Sequence, residues 1–238
     1  MTPARLARAI GRGIDCLLAP GLCLACGAAL DGDDSLCMTC RRLLRRVPNP
    51  CRYCGQPNPV DGPVCPACLG NPPRWQRLTA PLQYRGLARD YLLQLKFHEA
   101  LYLAKTLCRY CDTQYLGNPP RPEILLPVPL HRERWRERGY NQALEIAAVW
   151  SRMFGIPVDR HALRRLRPTA SQSGLGAAAR AINLRGAFGF DNRRNWRHVA
   201  IVDDIVTTGS TATEITRCLH RGGVEFVEVW ALARAYRR

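Results

Sequence analysis

Apolar residues along this chain change period several times, and each change marks an element. From Leu82 to Lys96 they recur at helical spacing, and a second helix is expected over 99–115. A short apolar run, Ile124-Leu125-Leu126, closed by Pro127 and Pro129, reads as a strand. Residues 140–154 read as a helix that stops before Gly155. Residues 161–184 lose all periodicity and mix Arg, Thr, Ser, Gln and Gly, the composition of a polar loop. A buried strand is expected at 198–202, a helix at 210–221 and a further strand at 224–231. Strands alternating with helices give an α/β domain with a mainly parallel sheet flanked by helices. No apolar run approaches the roughly 18 residues of a membrane span, and a cytoplasmic location is expected.

The first 70 residues have a different grammar. Eight of the 12 cysteines form four C-x-x-C pairs: Cys23/Cys26, Cys37/Cys40, Cys51/Cys54 and Cys65/Cys68. Two thiolates of one tight turn reach a single tetrahedral ion, and two such turns complete a Cys₄ site. The pairs recur every 14 residues, so spacing alone fits sequential and cross-brace pairing equally. Gly27 and Gly55 follow the first and third pairs, whereas Arg41 and Leu69 follow the second and fourth. The repeat is therefore 28 residues with four cysteines in each copy, which points to two consecutive zinc ribbons. With all four positions of each site thiolate, the metal has a structural role. An Fe–S site uses the same ligands; disulfides and a thioredoxin-like redox pair fit the fourfold pattern poorly. Cys108 and Cys111 sit on a helical pattern and read as core thiols, as do the isolated Cys16 and Cys218.

These patterns divide the chain into a basic N-terminal helix (1–20, amphipathic over 3–18), a double zinc ribbon (21–73), a helical connector (74–120) and an α/β domain (121–238). Asn71-Pro72-Pro73 and Gly117-Asn118-Pro119-Pro120 punctuate the boundaries. Charge then narrows the partners. The formal net charge is +16, and Lys96 and Lys105 are the only lysines, so the cations are almost all arginine. That excess suits polyanions: phosphate, pyrophosphate or nucleic acid.

The candidate chemistry lies in His198-Val199-Ala200-Ile201-Val202-Asp203-Asp204-Ile205-Val206-Thr207-Thr208-Gly209-Ser210-Thr211. A buried strand ends in two adjacent carboxylates, at the sheet edge where open α/β sheets place ligands. After Ile205 and Val206, a run of small hydroxylated residues around a glycine opens a helix. Free N–H groups, hydroxyls of Thr207, Thr208, Ser210 and Thr211, and close backbone approach at Gly209 make an anion cradle. The carboxylates stand a few residues away, where they can accept bonds from a diol or approach Mg²⁺. Phosphate and diol held so far apart describe a ribose 5-phosphate.

This stretch closely resembles the signature of type I phosphoribosyltransferases. The resemblance implies that Asp203 and Asp204 bind the ribose hydroxyls of phosphoribosyl pyrophosphate and that Thr207, Thr208, Gly209, Ser210 and Thr211 bind its 5-phosphate. Arg138-Gly139-Tyr140-Asn141-Gln142-Ala143 follows the Pro127-Val128-Pro129 strand end, and Thr169, Gln172, Arg180, Asn183 and Arg185-Gly186-Ala187-Phe188 follow in the polar loop. With the cysteines, this order is similar to the ComF family (ComFC or GntX-like) of competence-related proteins over essentially the whole chain.

The resemblance further implies a pyrophosphate loop after the first core strand, with Arg138 its candidate. It also implies a hood over 164–184 closing on the sugar, with Arg167, Gln172 and Arg180 as pyrophosphate candidates. The implied cofactors are zinc at two structural sites and Mg²⁺ with phosphoribosyl pyrophosphate. Two functions are implied: a phosphoribosyltransferase whose acceptor stays open, or a non-catalytic single-stranded-DNA-binding competence protein with a retained pocket, working with DNA-uptake proteins. Tyr91, Lys96, Phe97 and His98 form an aromatic–basic cluster that suits either base stacking or packing between modules, with packing favoured.

Overall fold

A computed structural model describes residues 21–30, 34–110, 121–167 and 183–236. The expected helix at 3–18, with Cys16, lies outside the described residues, as do Cys111, Gln172 and Arg180. The chain divides into two compact units, one ending at Leu44 and one beginning at Arg45. The second ribbon thus folds with the α/β unit, and the expected 21–73 module is divided between the two.

The 28-residue repeat is reproduced bond for bond. In the first ribbon the Cys23 N–H donates to the Ala28 carbonyl and the Gly27 N–H to the Cys23 carbonyl. In the second, Cys51 donates to Gln56 and Gly55 to Cys51, all four at 2.8 Å. Each second pair opens a short helix, α1 (Met38–Leu43) after Cys37 and α2 (Pro66–Gly70) after Cys65.

The larger unit is built on five parallel strands. Strands β1 (Arg77–Thr79), β7 (Phe226–Arg234), β6 (His198–Val206) and β3 (Ile124–Pro127) lie side by side in that order. Strand β2 (Leu82–Gln83) continues along β7 beyond β1. The outer edge of β3 is covered by the 157–159 segment, through Leu125 N–H to Pro157 O and Asp159 N–H to Leu125 O. Around the sheet run α3 (Gly86–Phe97), α4 (Tyr102–Tyr110), α6 (Gln142–Phe154) and α7 (Ser210–Arg221). Both sheet faces are covered, as parallel sheets require. Val199, Ile201, Val227, Val229 and Ala231 join Ile215 and Leu219 of α7 in one core. On the other face Trp230 meets Trp150 and Phe154 edge-on, at 6.0 and 5.8 Å between ring centroids.

Several expected boundaries shift. Residues 82–83 are strand, and the helix expected from Leu82 begins at Gly86. Strand β6 runs on through the acidic pair to Val206, so the two aspartates lie within it. Within 161–184, Leu163–Arg165 (β4) pairs antiparallel with Phe188–Phe190 (β5). Arg132–Arg138, after the first core strand, forms the short helix α5. Helix α7 keeps its expected bounds, and α6 ends at Gly155 in a left-handed cap. Tyr91 and Cys108 are buried, Cys218 donates to the Phe188 carbonyl, and Phe97 is exposed. Among the described residues, no helix is long and apolar enough to cross a membrane.

Candidate functional site

Parallel strands bring their C-terminal ends to one edge, and there the sequence-predicted residues gather. Asp203 and Asp204 lie near the end of β6, and each Oδ1 accepts the next residue's N–H at 2.9 Å. Burial, and then the adjacent Asp204 charge, push the Asp203 carboxyl well above the usual range. Lys96 opposes that push through its positive charge. Such a pair holds a proton readily and gives it up when a cation or a donor arrives.

The cradle follows directly. Gly209 adopts φ +80°, a left-handed backbone, with the Trp75 ring where a Cβ would lie 3.0 Å from Cη2. Glycine is therefore required twice over, by conformation and by space. Thr208 Oγ1 and Ser210 Oγ are 2.8 Å apart, and the Ser210 N–H donates to Thr208 Oγ1. Thr213 returns both its N–H and its hydroxyl to the Gly209 carbonyl. Thr207 is exposed at the head of α7, while Thr208, Ser210 and Thr211 are half-buried.

The arginine motif after β3 ties the end of α3 to this edge. Tyr140 Oη donates to the Leu95 carbonyl and Gln142 Nε2 to the Lys96 carbonyl. Arg138 donates to Gln142 Oε1, and its guanidinium lies 5.4 Å from the Phe97 ring centre. Asn141 caps α6 through the Ala143 N–H and donates to the Val128 carbonyl at 3.0 Å. Arg167 donates to the carbonyls of Asn183 and Arg185, which fastens the two ends of the polar segment together.

Arg165 was not singled out by sequence. It lies over the Phe188 ring. Burial is the main cause lowering its pKa, helped by the nearby Arg134 and Arg167 charges and opposed by Asp203. Arg234 and Trp75 were missed as well. Arg234 is a buried cation ending an apolar strand, which is the one signal that marks it in the sequence.

The cysteines form two clusters, Cys23/Cys26/Cys37/Cys40 and Cys51/Cys54/Cys65/Cys68, with ligand atoms in each within 4.8 Å of one another. Pairing is sequential. Cys26 and Cys37, and likewise Cys54 and Cys65, have sulfurs 3.8 Å apart. That separation is the edge of a tetrahedron with metal–sulfur bonds of about 2.3 Å. The Cys37 N–H donates to Cys23 Sγ and the Cys65 N–H to Cys51 Sγ, both at 3.3 Å. Burial disfavours the Cys23 thiolate, but N–H groups of Cys37, Cys26 and Ala25 outweigh it and bring the pKa down to about 6. Burial likewise opposes ionisation of Cys51, and N–H groups of Cys54, Cys65 and Tyr53 bring it to about 7. The residues present fit a thiophilic metal ion at both sites.

No protein-family model matches the chain. It is 36% identical over 224 residues to the DNA utilization protein YhgH of Escherichia coli (strain K12), covering 92% of this chain and 99% of that one. It is 33% identical over 222 residues to competence protein F of Haemophilus influenzae, covering 90% and 96%. The chain belongs to the ComF family. A more distant ComF relative is competence protein ComFC of Bacillus subtilis, 27% identical over 87% of each chain.

Proposed function

We propose that this ComF protein binds phosphoribosyl pyrophosphate with Mg²⁺ on a type I phosphoribosyltransferase fold, carries zinc in both Cys₄ sites, and acts in the handling of incoming DNA. One observation carries the ligand reading: an acidic pair and a hydroxyl-rich cradle share one strand–loop–helix at the C-terminal edge of a parallel sheet. Relatives named for competence and DNA utilization support the context.

In this reading the N–H and hydroxyl groups of Thr207 to Thr211 bind the 5-phosphate, and Asp203 and Asp204 accept from the ribose diol. Bound Mg²⁺ would supply charge neutralisation at the pyrophosphate, held by hard carboxylate oxygens. Arg138, Arg167 and, within the undescribed part of the loop, Gln172 and Arg180 are the pyrophosphate candidates. Lys96, Arg134 and Arg165 join them because their charges act around Asp203. Cations there favour departure of pyrophosphate from the anomeric carbon, and closure of the 164–184 segment excludes water from that centre. Transfer to an acceptor makes the protein a glycosyltransferase of the cytoplasm.

Calorimetric titration of phosphoribosyl pyrophosphate, with and without Mg²⁺, tests the reading. Binding that needs Mg²⁺ and disappears in Asp203→Asn/Asp204→Asn is expected; no binding by well-folded, metal-loaded wild type would overturn it. The arginine excess favours a second reading, a single-stranded-DNA-binding protein with a retained pocket. Salt-dependent binding of single strands that survives the double substitution is its expected signature.

A further inference from the structure

The two ribbons share a hydrogen-bond pattern, but the second is joined to the candidate phosphate cradle. Three consecutive carbonyls of its first turn are taken by three groups of the sheet domain. The Leu78 N–H donates to Arg52 O at 2.8 Å, Trp75 Nε1 to Tyr53 O at 2.6 Å, and Arg234 Nε to Cys54 O at 2.6 Å. Two of those groups go on to the cradle. The ring of Trp75 closes the space beside Gly209. Arg234 Nη1 donates to the carbonyls of Val206 and Thr207, the two residues that lead into the cradle, and to Ala235 O.

Neither connection is loose. Arg234 is 2% exposed and Trp75 5%. Gly55, at φ +64°, lets the turn lie so close that a Cβ there would be 2.6 Å from Leu78 Cδ2. Gln56 Nε2 adds a bond to Ala235 O at 3.0 Å. The thiolates of Cys51 and Cys54 bracket the three carbonyls, so a metal ion holding both sulfurs fixes where the carbonyls point.

We propose that Arg234 and Trp75 are positioning residues through which the metal-bound Cys51–Cys54 turn sets the geometry of the phosphate cradle at Val206–Gly209. The cradle presents preorganised donors only while the turn keeps its shape. Coupling of this kind is reciprocal: a ligand in the cradle tightens metal at the second site by the factor by which metal tightens the ligand. The inference rests on the phosphate-binding reading, and its test has an arm that needs no ligand.

The ligand-free arm is amide hydrogen exchange on the full chain carrying metal at both sites. Arg234→Lys keeps the charge and loses the fork that reaches Cys54, Val206 and Thr207 together. Protection of the 207–211 amides is expected to fall about tenfold relative to amides of α6, with metal content unchanged. Cys68→Ser, which weakens the second site, should reproduce the loss. If Cys68→Ser unfolds the unit, Arg234→Lys alone decides. Equal protection of the cradle in Arg234→Lys and wild type overturns the proposal.

The ligand arm uses wild type. A chelator competes for metal with and without phosphoribosyl pyrophosphate, and Cys68→Ser identifies the second-site step. Retention raised about fivefold or more at that step is expected, and lost in Arg234→Lys. Unchanged retention despite calorimetrically proven binding overturns the coupling. Absence of binding with cradle protection still metal-dependent overturns the phosphoribosyl reading and leaves the mechanical link standing.

Discussion

Asp203 shows how one carboxyl can cost stability where it supplies chemistry. Its folded-state pKa is raised from 3.8 by burial and then by Asp204. The folded chain therefore binds more protons than the unfolded chain between the ordinary and the raised value, and stability falls as pH rises through that window. Asp203→Asn does not titrate and escapes this fall. Thermal melts are expected to place the variant above wild type at pH 8, with the gap shrinking toward pH 4. A gap that grows on acidification would reverse the assigned cause. Gly209 carries the opposite kind of constraint. Gly209→Ala puts a Cβ on a left-handed backbone and against Trp75. A loss of about 1–3 kcal/mol in urea unfolding is expected. The importance of Asp203, Asp204 and Gly209 was legible in the sequence, because carboxylates and a glycine at a strand–helix junction have few structural uses. Arg234 and Trp75 were not legible, because their contacts are made with carbonyls, which every residue type carries.

Elements with both ends marked were the readable ones. Helix α7 has the Thr-Thr-Gly-Ser entry and the Gly222-Gly223 exit, and its bounds match expectation. Helix α5 was missed because Arg-Glu-Arg-Trp-Arg-Glu-Arg offers no apolar stripe. The β4–β5 hairpin was missed because three-residue strands carry too little alternation. Leu82 fitted the spacing of the helix behind it, yet pairs with Ala233 as a strand. Asn141 is the joint between β3 and α6: its Oδ1 caps the helix while its Nδ2 holds Val128 O. Asn141→Ala removes both and is expected to cost about 1–2 kcal/mol. Guanidinium unfolding should shift in midpoint at constant slope.

At the scale of the molecule, one sequence repeat folds twice into the same turn but with different neighbours. In the second copy, loss of a buried ligand should be felt by the whole α/β unit. Cys51→Ser is expected to lower the unfolding free energy of residues 45–236 by more than about 4 kcal/mol, because metal binding there is part of folding. Calorimetry of the metal-loaded full chain reads this directly. The docking of the second ribbon also orders events during synthesis. The first Cys₄ set spans Cys23 to Cys40, so its ligands leave the ribosome almost together. The second set closes as early on its own ligands, but its Cys54 carbonyl meets Arg234 only 180 residues later. At typical elongation rates that interval is about 10–40 s. Throughout it, the carbonyls of the metal turn and the face that will receive Trp75 and Arg234 stand exposed. A nascent chain stalled before β7 would therefore hold metal without a formed cradle, and the cradle would arrive late and all at once.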